Sequence, residues 1–143
     1  MLPVEVECVR VGHQAPSQGE EGTILMPDDR TYVRLKDTVG KRALDIQIGQ
    51  SEAFAIASAL EGQQWQRPMT HDLLGGVIAA LGGTLQRMLI TEHRESVYFA
   101  VIELTDRDGS LVALSARPSD AIAIALLLNA PILVSESLFV NAA

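Results

Sequence analysis

This sequence predicts an α+β fold: a single domain with one twisted, mostly antiparallel sheet and alanine-rich helices packed on it. Three observations carry the prediction. Short runs such as "LDIQIG" and "SLVALSA" alternate apolar and polar residues with the period of a strand. Alanine-rich segments of helical length follow two of those runs. The chain also echoes itself: "SEAFAIASAL" at 51–60 and "SDAIAIALLL" at 119–128 share Ser, Ala, Ala, Ile, Ala and Leu in register, with Glu52 matched by Asp120. One strand-to-helix unit is read twice.

The elements follow in order. Strands are expected near 3–11, 23–27, 31–36 and 43–48, with "HQAPSQGEEG" and "PDDR" supplying turn residues between the first three. The first alanine helix covers 51–60 and stops at Gly62. A second helix spans about Thr70 to Leu81 and ends at Gly82 and Gly83. "TLQRMLITEH" and "SVYFAVIELT", joined tightly at Arg94–Glu95, form a meander with "SLVALSA" after the turn "DRDG". The last alanine helix leads to "PILVSE" and a tail at 136–143.

A chain of 143 residues suits one domain with one core. Apolar residues make up 48% and aromatics 4%, so that core is built of Val, Ile, Leu and Ala. Eleven basic against 18 acidic residues leave a net charge of −7, and only Lys36 and Lys41 are lysines. No basic stripe offers high-affinity binding to nucleic acid, which leaves room only for a brief encounter. The single cysteine, Cys8, lies in an alternating segment and reads as a buried thiol in a reducing compartment. "MLPVEVECVR" has acids where a leader would be apolar, and the apolar stretch from Ala121 to Val134 is broken by Asn129 and Pro131. A soluble, cytoplasmic protein without membrane partners is expected.

Two polar clusters stand directly before helices: "RPMTHDLL" at 67–74 and "ARPSDAIAIAL" at 116–126. One reading is architectural. Ser51, Thr70 and Ser119 are natural N-caps, Pro118 suits a helix start, and Glu52, Asp72 and Asp120 face the positive end of a helix dipole. Arg117 is left unexplained by capping. The other reading is chemical, with His71 as a base and the carboxylates as cation ligands. Adjacent residues diverge by about 100° on a helix, so His71 and Asp72 do not easily share a ligand face. His13 and His93 read as solvated. There is no Gly-rich phosphate loop, no Cys/His zinc pattern and no nucleophile elbow, and "DRDGS" at 106–110 reads as a hairpin turn rather than a calcium loop.

Taken in order, "IGQSEAFAIASALEG", "RPMTHDLL", "ALGG", "ARPSDAIAIAL" and "APILV" resemble the bacterial and plant bifunctional nuclease (BFN) family over about residues 3 to 135. The resemblance implies a compact α+β domain and a hydrolase acting on DNA and RNA. Its motif positions fall on Glu52, Arg67, Pro68, Thr70, His71, Asp72, Arg117, Pro118, Ser119 and Asp120. The chain departs from the family at Ser115, where members often carry an acid, and at Asp45, where they often carry proline.

The expected site therefore comprises His71, Asp72, Arg117, Ser119 and Asp120. Asp72, Asp120 and Glu52 would hold a divalent cation, Mg²⁺ or Mn²⁺, and His71 would serve as base or proton shuttle. Arg117 and Arg67 would contact phosphate. DNA or RNA would be a transient substrate, and the chain a homo-oligomer. The alternative is a non-catalytic scaffold or small-ligand-binding module in which both motifs only begin helices. The two clusters must meet in space for the first reading to hold.

Overall fold

The structure is a computed structural model and describes residues 1–12 and 30–140, with Val140 described by its backbone alone. The strand expected at 23–27 and His13 lie outside the described residues.

Among the described residues, seven strands form one open mixed sheet. Alternating burial runs through β2 (Tyr32–Asp37), where Val33, Leu35 and Asp37 point inward, and β3 (Ala43–Gln47), where Leu44 and Ile46 do. With β1 (Leu2–Arg10) they form an antiparallel meander. A second antiparallel meander follows later in the chain: β4 (Thr84–Arg94), β5 (Val97–Thr105) and β6 (Leu111–Ala116). The last strand, β7 (Ile132–Val134), enters between the two meanders, antiparallel to β1 and parallel to β4, to give the order β3-β2-β1-β7-β4-β5-β6.

Each meander is followed by one alanine helix, α1 (Gln50–Leu60) after β3 and α3 (Pro118–Leu127) after β6. The echo in the sequence is thus a repeated structural unit, whose strands form opposite edges of the sheet and whose helices pack together. Five consecutive residues of α3, Ala121 to Ala125, are buried. A helix apolar all round belongs in the core, and α3 packs on β4 and β5 with α1 and α2 (Thr70–Ala80) against it. The alanines permit those close approaches. Leu35, Ile56, Met88, Ile90, Ile122 and Ile124 are fully buried at the centre.

The ends of the helices differ from the sequence expectation at one terminus only. At the C-termini, Gly62, Gly82 and Asn129 adopt positive φ, and the next residue's N–H returns to the third-last carbonyl: Gln63 to Ser58, Gly83 to Ile78, Ala130 to Ala125. These are Schellman closures. At the N-termini, Ser51, Thr70 and Ser119 are not the caps. Gly49, Met69 and Arg117 occupy that position, and the helices begin at Gln50, Thr70 and Pro118. The fixed φ and missing N–H of Pro118 suit the first helical residue, which moves Ser119 into the helix.

Further differences are local. The β4–β5 hairpin turns at Glu95–Ser96, one residue later than expected, with both at positive φ. The tail carries a short helix, α4 (Ser137–Val140), whose Phe139 is buried in the core. Cys8 is half-buried beside a bulge in β1. "DRDGS" is the hairpin turn expected, with the Asp106 carboxylate accepting the N–H groups of Asp108 and Ser110 and Gly109 at positive φ. No helix among the described residues is long and apolar enough to cross a membrane.

Candidate active site

The three acids of interest share a position that the sequence did not advertise. Counting from the observed starts, Glu52, Asp72 and Asp120 each stand third in their helices. A third-position carboxylate can fold back to accept the N–H of the cap residue. Asp72 does so, taking the Met69 N–H at 2.9 Å. Asp120 instead turns outward to Arg117 and His71, and Glu52 reaches the same arginine.

The packing of α2 and α1 against α3 brings these groups together. His71 Nε2 lies 2.9 Å from Asp120 Oδ1, so residues 49 apart in sequence meet directly. Arg117 grips the same carboxylate through two bonds, Nε to Oδ2 at 2.9 Å and Nη2 to Oδ1 at 3.2 Å. Its Nη1 donates to Glu52 Oε1 at 3.3 Å. Burial would push the Asp120 carboxyl up, but the bonds from Arg117 and His71 outweigh it and hold the group below the usual carboxylate range. The same contacts, Asp120 first and Glu52 second, raise Arg117 above the usual arginine value. Asp120 is therefore ionised at neutral pH and can only accept, which assigns the proton of His71 to Nε2 and leaves the lone pair of the neutral ring on Nδ1.

The remaining expected residues stand apart. Ser119 is buried at 7% exposure and its hydroxyl takes no part in this bonding, while Arg67 is exposed and enters none of these contacts. Pro68 and Thr70 shape the entry to α2. The donor set does not fit a divalent cation as it stands. The Asp72 carboxylate is spent on its own helix start, Arg117 already bridges Glu52 and Asp120, and among the described residues no three His, Cys, Asp or Glu side chains are grouped to hold a metal ion.

Two clefts flank the cluster. The first, of about 510 Å³, opens between α1 and the start of α2 and is lined by Glu52, His71, Phe54, Trp65 and Met69. The second, of about 610 Å³, lies between the two edges of the sheet, with Ile46 and Gln47 of β3 on one side and Ser115 and Ala116 of β6 on the other. The sheet therefore curls until its edge strands face one cleft, and Glu52 lines both clefts.

A model of the bifunctional nuclease domain matches residues 33–143. This chain belongs to the bifunctional nuclease domain family. Two uncharacterized proteins, one from each of two strains of Mycobacterium tuberculosis, are each 41% identical to it over 119 residues, which cover 83% of this chain and 70% of theirs. Both motifs of this BFN domain lie inside the matched span. Sequence reasoning missed the aromatic wall of the first cleft, although the chain's one tryptophan in the polar connection "EGQQWQRP" was a signal for it. At the departures from the family, Asp45 on the edge strand β3 pairs with Arg34 on its neighbour β2 at 2.7 Å, and Ser115 lines the second cleft.

Proposed function

We propose that the chain hydrolyses phosphodiester bonds of DNA and RNA, with His71 as general base, Asp120 and Arg117 as its positioning residues, and the exposed guanidinium of Arg117 facing the phosphate. The observation that carries this reading is the 2.9 Å bond between His71 and Asp120, which joins the two motifs into one site. Asp120 holds the imidazole in one tautomer and orientation, as a carboxylate partner does for many reactive histidines. His71 Nδ1 takes a proton from water as its oxygen attacks phosphorus, the P–O bond to the leaving oxygen breaks, and that oxygen is protonated from solvent. No step is assigned to a cation.

A second reading is favoured by the Arg117 brace itself. By tying the third residue of α1 to that of α3, it serves a non-catalytic scaffold equally well. Cleavage of fluorescent single-stranded DNA and RNA decides between them, run with Mg²⁺, with Mn²⁺ and with EDTA. His71→Ala and Asp120→Asn, each shown to be folded, are expected to lose about 10²- to 10⁴-fold in rate, the usual share of a general base. Activity that survives both substitutions overturns the assignment, and no activity in any arm leaves the scaffold.

The reading includes a homo-oligomer built on the edge strand β6. Val112 and Leu114 pair with Leu104 and Ile102 on the buried face of the sheet, yet both are exposed. The run "SLVALSA" carries no charge to deter pairing, so a second copy is the occupant that fits.

A further inference from the structure

We propose that Trp65 and Phe54 form a base-stacking subsite, so that the substrate is taken as an unpaired nucleotide with its base in the first cleft. This rests on the nuclease reading above and names what that site would accept. In a chain with one tryptophan and three phenylalanines, these two rings stand together, centroids 5.6 Å apart and tilted by 42°. They are 38% and 51% exposed. Aromatic rings left in water at the mouth of a cleft are the usual platform for a nucleobase, because every base offers a π-face.

Charge decides which part of a nucleotide enters. The cleft is lined by the carboxylates of Glu52 and Asp72, which repel phosphate, and by the neutral amides and hydroxyls of Gln50, Ser51 and Gln63, which can hydrogen-bond the edge of a base. Arg117 sits outside the cleft lining, bound to the Glu52 carboxylate that forms its wall. The uncharged base thus goes in while the phosphodiester stays at the rim beside Arg117 and His71. A volume of about 510 Å³ admits a single nucleotide's base and sugar and leaves no room for a duplex, whose bases are stacked and paired.

Trp65 reports its own occupancy, since no other tryptophan contributes to the fluorescence. Three probes would be titrated into the intact protein: a phosphorothioate single-stranded oligonucleotide, the same oligonucleotide annealed to its complement, and ribose 5-phosphate. Quenching by the single strand alone is expected. Trp65→Ala, which removes that reporter and is read by the anisotropy of a fluorescein-labelled strand, should weaken binding of that strand by about 5- to 150-fold, the alanine cost of one stacked base. Trp65→Phe should recover most of the loss. Asp120→Asn, outside the cleft lining, should slow cleavage by about 10²- to 10⁴-fold yet leave the quenching intact, which separates failure of the subsite from failure of the catalytic reading. Equal quenching by the duplex or by ribose 5-phosphate, or binding indifferent to Trp65→Ala, overturns the proposal.

Discussion

Arg117 is the residue that ties the starts of two helices together, yet it is exposed and its geometry depends on the carboxylate it holds. That dependence sets a pH response. The folded Asp120 carboxyl lies below its ordinary value of about 3.9, so its contribution is complete above that pH and is lost as pH falls through the depressed value. Buried Asp37 behaves alike, held down first by the Val39 N–H and then by Arg42. Denaturant midpoints measured from pH 6 to 2 should fall below about pH 4 in the wild type, and Asp120→Asn should flatten part of that fall. An unchanged slope in the variant would mean that the Arg117 bonds do not persist in solution. Sequence singled out every member of this network. It could not assign them, because a serine beside an acid reads as a cap until the helix start is known to one residue.

At the scale of elements, sequence patterning located strands and helices where periodicity was strong and missed where a single backbone angle decides. The alternation of β2 and β3, the alanine helices and the glycine stops were legible, since each follows from local spacing. The short β7 was visible as an apolar run, but its place between β1 and β4 depends on pairings far apart in sequence. The hairpin at Glu95–Ser96 illustrates the angle problem. A two-residue turn with both φ values positive prefers Asn-Gly, and here it is made from residues that favour neither. Ser96→Gly should relieve that cost and raise stability by up to about 1 kcal/mol, or about 2–4 °C in a melting experiment. A lower melting temperature would show that Ser96 makes compensating contacts.

For the whole molecule, the proposed association rests on the uncovered strip along β6, where Val112 and Leu114 are exposed. Light scattering on the purified chain should give a mass above the 15.4 kDa of one copy, and Leu114→Lys should return it to that value while its circular dichroism is retained. A wild-type monomer would remove the oligomer from the proposal and leave the hydrolytic site untouched. The exposure of Val112 and Leu114 was not legible in the sequence, because exposure on the buried face of a sheet can be known only after register is.

The strand that joins the two meanders is made after the other six described strands. β7 joins the two meanders at the middle, so until residues 132–134 have been synthesised the described strands of the two halves share no hydrogen bond. A nascent chain on the ribosome, or a fragment ending at Asn129, holds two three-stranded ribbons with open inner edges at β1 and β4. Such a fragment should show little protection in amide hydrogen exchange, whereas the full chain protects β1 and β4 together; strong protection in the fragment would show that the halves fold separately. The sheet therefore cannot close before β7 has been made, and a message interrupted ahead of it leaves a product ready for proteolysis.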